Sequence, residues 1–529
     1  MKYYIFRNMT IESFFTNLNA EFSGYEDISI VDLKADRFIW FYLAPMKTDS
    51  QIIADEIRNY IDLLRLTISR ISNDKTLITF TIHNIFSINS ITSDAAIRDA
   101  VIYYNSSLFS LAKENGNIKV IDFSTFLNCH PHSGLINWKY YFISQMAINP
   151  QLAFSFQEWF STQICSIELK RKKCLILDLD NTLWGGILGE DGIKGLAIGG
   201  DYPGNAFLMF QNQIAELGKQ GVILCVCSKN NIDDVRQMWK EHPNIVLKEE
   251  NFAGLKINWT NKADNIRQLA EELNIGEDSM VFIDDNPTER ELIKSNLPQV
   301  IVPDFPAQPY MLPYFFKQLT ERYFAVYSVT KEDINKTEQY KMNTLRNSSK
   351  SKFVNMESYI HSLEIELKID EIKDLTLQRI AQMTQKTNQF NLTTLRYTDA
   401  DIKNLQKEGA KIFTISVEDK FGDNGITGVC IIKMNNGQAE IDTLLLSCRI
   451  LGKKIEDAFV NYLLNKLKNE NIYIVKARYN KTAKNSQVVD FYDRIGFTLV
   501  KNEDGEKVKN YIINLSDKTI ELSNNYKYL

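Results

Sequence analysis

Two aspartates one residue apart, Asp178 and Asp180, sit in the stretch KKCLILDLDNTLW from Lys172 to Trp184. The apolar run before them, Cys174 to Leu177, reads as a short buried strand. Period-two geometry then points both carboxylates the same way at its carboxyl end. In open α/β sheets that end is where ligands bind. One carboxylate can attack phosphorus while its neighbour handles a proton, and both can help hold a divalent cation. Solvated surface carboxylates are common, so the pair needs support from further along the chain.

That support comes in order. GVILCVCSKNN, Gly221 to Asn231, is a second buried-strand pattern ending at Ser228, whose hydroxyl can donate to a phosphoryl oxygen. Lys262 stands just ahead of a helical pattern (Ile266, Leu269, Ala270, Leu273), where an ammonium can neutralise charge developing in phosphoryl transfer. Lys256 precedes the same helix but alternates within AGLKINW, as a solvent-facing strand residue does. SMVFIDDNP, Ser279 to Pro287, is a third strand pattern and ends in Asp284 and Asp285. Hard oxygen ligands on adjacent strand tips suit Mg²⁺, which keeps some of its waters.

DLDNT, Ser228, Lys262 and the Asp284–Asp285 pair together resemble the four-motif signature of the haloacid-dehalogenase superfamily of aspartate-nucleophile phosphotransferases. That pattern places its lysine at the helix start, which selects Lys262 over Lys256. DLDNTLWGGILGEDG and FIDDNPTERE are similar to the FkbH-like branch, whose members make glyceryl thioesters on acyl carrier proteins from 1,3-bisphosphoglycerate. The resemblance implies Asp178 as nucleophile and Asp180 as general acid and base. It implies that Ser228 and Lys262 hold the phosphoryl group, and that Asp178, Asp180, Asp284 and Asp285 hold Mg²⁺.

Length and composition agree with such an enzyme. At 529 residues the chain suggests about three domains. A 44% hydrophobic and 24% charged content is ordinary for globular proteins. A net charge of −5 and no basic block argue against nucleic acid. No run approaches the ~18 apolar residues of a membrane span. Arg7 and Glu12 interrupt what would be a signal peptide's apolar core, so a cytoplasmic protein with free thiols is expected.

Residues 1–165 read as an α/β domain, with strand-like Thr76–Phe86 and Ile118–Phe123 between helical stretches, which favours a parallel sheet. This domain resembles the SGNH-like N-terminal domain of FkbH-like proteins, without a Gly-Asp-Ser nucleophile turn. Cys129-His130-Pro131-His132 reads as a loop. Residues 166–305 form the phosphotransferase core. Eight of the 23 glycines fall between Gly185 and Gly204, so Trp184, Gly185 and Gly186 are expected to open a flap over the site. The insert between Asp180 and Ser228 is too short for a separate cap. Residues 306–353 read as a helical connector, aromatic-rich and then polar.

Residues 354–529 form a second α/β unit. QKTNQFNLTTLRY, which contains Asn388, resembles a hallmark stretch of FkbH-like C-terminal domains. Arg449 and Gly452 resemble the pyrophosphate-binding turn of GNAT acyltransferases, where helix N-terminal amides receive phosphates. Lys454 departs from that pattern, which wants a small residue, so a single-phosphate phosphopantetheine arm on a carrier fits better than coenzyme A. Cys448 has two readings, an acyl-accepting thiol or a small buried hydrophobe, and Cys227 is its rival.

The expected architecture is therefore three-domain α/β. A central Rossmann-like parallel sheet of the haloacid-dehalogenase fold is flanked by SGNH-like and GNAT-like α/β domains. The expected function is a Mg²⁺-dependent phosphatase and glyceryl transferase. It acts on a phosphorylated three-carbon acyl phosphate with an acyl carrier protein as partner, and neither nucleic acid nor membrane takes part. A phosphatase of another substrate joined to an N-acyltransferase, and a phospho-aspartate switch, are the alternatives. Asp180 argues against the switch, which needs no acid to turn over.

Overall fold

The computed structural model describes residues 1–29, 34–72, 75–86, 95–168, 170–327, 340, 342, 355–373, 376–435, 437–447, 450–503 and 507–529. The chain divides into two compact units, Met1–Glu168 with Tyr397–Leu405, and Leu169–Arg396 with Gln406–Leu529.

The first unit is built on five strands: β1 (Lys2–Arg7), β2 (Asn19–Tyr25), β3 (Arg37–Phe41), β4 (Thr76–Phe80) and β5 (Ile118–Ile121). All pair in parallel in the order β2-β1-β3-β4-β5. Both faces are covered, as a parallel sheet requires. Ile5, Ile39 and Phe41 enter one apolar cluster, while Phe6, Phe38 and Trp40 alternate into the other. The helix Ser50–Ile68 packs on the second face and starts at Asp49, whose carboxylate accepts from the Gln51 and Ile52 amides. The parallel α/β expectation for this stretch is what the structure has.

The second unit carries two sheets. The first has four parallel strands, β6 (Cys174–Leu177), β7 (Ile223–Ser228), β8 (Gly254–Ile257) and β9 (Met280–Ile283), in the order β8-β7-β6-β9. Leu175 and Leu177 face one cluster and Cys174 and Ile176 the opposite one, so β6 is buried on both sides. Three asparagines beyond the strand ends start the following helices. Asn231 caps Ile232–Glu241, Asn261 caps Lys262–Leu273 and Asn286 caps Pro287–Asn296, each accepting from the amide two residues on. The expected connector is, in its first part, core. Leu312, Phe315, Leu319 and Phe324 bury into the same cluster as Leu175. The polar end of that connector, RNSSKSK, lies outside the described residues.

The remaining strands are β10 (Glu366–Glu371), β11 (Phe390–Asn391), β12 (Lys411–Asp419), β13 (Gly422–Asn435), β14 (Gln438–Leu446), β15 (Ile474–Asn480), β16 (Thr498–Glu503), β17 (Val508–Asn514) and β18 (Lys527–Tyr528). They form one sheet, β16-β17-β15-β14-β13-β12-β10-β18, with β11 added on β14. β14 and β15 are parallel but pair only from Ala439↔Val475 to Ile441↔Ala477. Beyond that the gap is bridged from within the chain. Phe390 and Asn391 pair with Leu446 and Leu445, the Leu392 amide donates to Leu444 O at 3.1 Å, and the Asn480 amide donates to Leu392 O at 2.7 Å. No helix among the described residues is long and apolar enough to cross a membrane.

Candidate active site

Register places the reactive groups. Leu177 of β6 aligns with Val226 of β7 and Ile283 of β9, so the next residues, Asp178 and Asp284, emerge side by side. The Asp178 amide donates to Ile283 O at 3.0 Å and holds that alignment. Ser228 ends β7 next to them, and its hydroxyl stabilises the Asp178 carboxylate. Lys262, first residue of its helix, reaches in from behind. Its Nζ lies 2.9 Å from Asp178 Oδ1 and 2.5 Å from Asp284 Oδ2. Asp178, Ser228, Lys262 and Asp284 are all buried. Lys256 is elsewhere, 2.7 Å from Glu272 in a partly exposed ion pair.

Burial raises the Asp178 carboxyl above its usual range, and the nearby Lys262 ammonium and Ser228 hydroxyl pull it back. Asp284 is likewise raised, by burial and then by the neighbouring Asp178 charge, and Asp285 by burial and then Asp284. Lys262 is raised in turn, because the attraction of Asp178 and Asp284 outweighs the effect of burial. One ammonium is shared by two buried carboxylates, with the Asp285 carboxylate nearby. Oxygens of Asp178, Asp284 and Asp285 lie within 4.8 Å of one another. Asp178 Oδ1 is buried and meets the Lys262 ammonium at 2.9 Å as an ion pair, with no well-aligned hydrogen bond. A hard-oxygen trio this close together fits Mg²⁺.

Asp180 corrects one expectation. Its carboxylate is not in the trio, because it is turned to three N–H donors. Oδ1 accepts from Trp184 Nε1 at 2.9 Å and from the Leu188 amide at 3.0 Å, and Oδ2 accepts from Asn230 Nδ2 at 2.8 Å. Trp184 corrects another. Placed in a flap by the sequence, it is fully buried in the core. Gly185 and Gly186 are also fixed. Gly185 and Ala197 exchange backbone hydrogen bonds at 3.2 and 2.9 Å, and the Gly186 amide donates to Asn181 Oδ1. Gly185 is tightly packed, since a Cβ there would meet Phe207 at 3.0 Å and Ala197 at 3.2 Å. The exposed part of the flap is the short helix Leu188–Gly195, broken at Gly192.

Sequence reading missed the residues that hold these groups. Asn230 stood in the quoted SKNN run, two residues after Ser228 and so on the same side of an extended chain, which was a usable signal. Thr182 accepts from the Asp285 amide at 3.2 Å, and Arg290 donates to the carbonyls of Asp284 and Asp285 at 2.9 and 2.6 Å. Cys227, the rival relay thiol, is fully buried in the core, where burial pushes it up to about 12 and disfavours the thiolate.

Of the C-terminal candidates, the structure describes Gly452 and Asn388. Cys448 and Arg449 lie outside the described residues. Gly452 has a positive φ of 78°, two residues before Lys454, itself left-handed at φ 56°. The following helix, Ile455–Asn469, has Glu456 and Asp457 in its first turn, and Glu456 is buried. Asn388 is half-buried, and its Oδ1 accepts from Arg396 at 2.5 Å.

No protein-family model matches the chain, and no curated protein does. Among solved structures, the chain is similar to the N-terminal part of a Bacteroides fragilis protein containing a phosphatase domain complexed with Mg. The match has 27% identity, covers 62% of this chain and 94% of that one, and has a TM-score of 0.52. It also matches a ribosomal-protein-S18-alanine N-acetyltransferase from Escherichia coli, at 11% identity, 30% of this chain and 99% of that one, with a TM-score of 0.24. A Thermoplasma acidophilum N-acetyltransferase in complex with coenzyme A matches at 15% identity, 28% and 99%, with a TM-score of 0.23.

Proposed function

We propose that this chain is a Mg²⁺-dependent phosphatase of haloacid-dehalogenase type with Asp178 as nucleophile. One observation carries the reading: a buried carboxylate at a parallel strand end, within reach of two further carboxylates, one ammonium and one hydroxyl. The likeness to a Mg-complexed phosphatase domain supports it.

The chemistry follows from the chain's own groups. Asp178 attacks phosphorus, and the bond from phosphorus to the leaving oxygen breaks with its electron pair going to that oxygen. Ser228 and Lys262 hold the phosphoryl oxygens and balance the charge that develops there. Asp180 donates a proton to the leaving oxygen when it is a basic alkoxide, and needs to do little when a carboxylate leaves. Water then attacks the aspartyl-phosphate, Asp180 takes its proton, and phosphate departs. Asp178, Asp284 and Asp285 would hold Mg²⁺, which when bound offsets the negative charge of phosphate and carboxylates together.

The substrate we propose is a 1,3-bisphosphoglycerate-type acyl phosphate: the thiolate of an acyl carrier protein attacks the acyl carbon, phosphate leaves with the C–O electron pair, and the glyceryl group is held as a thioester, its ester phosphate being removed through Asp178. The support is the FkbH-like pattern of DLDNTLWGGILGEDG and FIDDNPTERE. The test is intact-protein mass spectrometry of a phosphopantetheinylated carrier incubated with the protein, Mg²⁺ and 1,3-bisphosphoglycerate, beside Asp178→Asn. The expected result is a glyceryl-sized gain that is lost in the variant. A phosphoglyceryl gain in the variant would confine Asp178 to removal of the ester phosphate. No gain, with phosphatase activity intact, would remove the glyceryl reading and leave a phosphatase of another substrate beside an acyltransfer domain.

A further inference from the structure

The carboxyl ends of β7 and β9 lie on either side of that of β6, because the three strands are parallel neighbours in the order β7-β6-β9. Lys229 follows the last residue of β7, and Glu289 sits in the first turn of the helix Pro287–Asn296 after β9. Lys229 Nζ donates to Glu289 Oε1 at 2.6 Å. That ion pair therefore crosses the end of β6, from which Asp178 emerges. A second observation agrees: after burial and the Lys262 ammonium, the charges acting on the Cys227 thiol are those of Asp178, Asp284 and Glu289.

The two partners differ in freedom. The Glu289 side chain is 13% exposed and that of Lys229 39% exposed. Glu289 is thus the fixed partner, and Lys229 reaches solvent at the mouth of the site. An ammonium has three N–H donors, and that of Lys229 gives one to Glu289. Lys262 and Arg290 are already committed at these strand ends. The first lies between Asp178 and Asp284, and the second donates to the carbonyls of Asp284 and Asp285.

We propose that Lys229, held over the end of β6 by Glu289, is a specificity-determining residue that binds a second anionic group on the phosphoester substrate. The proposal rests on the phosphatase reading above and adds a substrate class to it: small phosphoesters that are anionic at their other end. Asp178, Asp284, Asp285 and Glu289 surround the site with carboxylates, which repel a second anion. An accessible ammonium with further N–H groups to give reverses that repulsion where the far end of the substrate arrives. Glu289 places the long lysine side chain beforehand, so less rotamer freedom is lost when the anion binds.

Two probes that differ at one carbon test this. 3-Phosphoglycerate carries a carboxylate where glycerol 3-phosphate carries a neutral hydroxymethyl group. With the full chain and Mg²⁺, phosphate release gives kcat/KM on each. The native protein should prefer 3-phosphoglycerate, and the preference should shrink as salt is raised. Lys229→Met should lower that preference about 30-fold, mainly through KM, as expected for loss of one charged hydrogen bond. Lys229→Arg should keep most of it. No native preference, or a preference that Lys229→Met leaves in place while both rates fall together, overturns the proposal. If Lys229→Met does not fold, Lys229→Gln is judged by the same ratio. Failure of the phosphatase reading shows differently, as release from neither probe or release that survives Asp178→Asn.

Discussion

Lys262 divides one positive charge between two buried carboxylates, and that division sets the site's sensitivity. Without the ammonium, Asp178 and Asp284 face each other uncompensated in a dry place. Removing one partner of a buried ion pair costs about 3–5 kcal/mol. Lys262→Met, which keeps the length of the side chain, should therefore lower Tm markedly in metal-free buffer. Mg²⁺ should restore more Tm to this variant than it adds to the native protein, because it supplies the missing charge; thermal melts with and without Mg²⁺ measure the difference. At this scale the types and spacing of Asp178, Ser228, Lys262 and Asp284 were legible, since strand ends and helix starts fix where side chains point. The donors around Asp180 were not. A tryptophan four residues on reads as flap or core alike until the turn that folds its indole back onto the carboxylate is seen.

Elements carry the next consequence. The helix Ile455–Asn469 starts on Glu456, whose carboxyl is raised above its ordinary 4.5 mainly by burial, although its own N–H pulls it down. A raised carboxyl favours folding in its neutral form. That contribution is complete below the unfolded value and is lost as pH rises through the folded one. Glu456→Gln should thus match the native protein near pH 4 and exceed its Tm increasingly toward neutral pH; a Tm series across that range checks it. A variant that loses stability at neutral pH would mean the helix N-terminus needs the charge. The parallel strands β6, β7 and β9 were readable because they are short apolar runs, buried on both faces, that end abruptly in polar residues. The aromatics after 306 read as core packing in a helical connector, but apolar residues at helical spacing do not say which core they join. Phe315 and Phe324 join that of β6.

Across the whole molecule the α/β character of the chain was legible from alternating strand and helix patterns. How β14 and β15 separate was not, since the residues that bridge them, Phe390–Leu392, lie some fifty positions upstream of the Leu444–Leu446 edge they cover. That bridge makes part of the chain a resident competitor. Any extended ligand that would lie along the far half of β14, a phosphopantetheine arm included, has to displace a tethered strand. The strand's effective concentration is on the order of millimolar. The ligand's apparent affinity falls by the fraction of molecules in which the strand is lifted. Amide hydrogen exchange reads that fraction at Leu392 and Asn480: slow in the free protein, and faster once a phosphopantetheinylated carrier is added. Exchange unchanged by the carrier would place the arm elsewhere. A gap filled from within can be a locked door whose key is paid for by the ligand's own binding energy, and loosening Phe390–Leu392 should tighten the ligand without a single new contact.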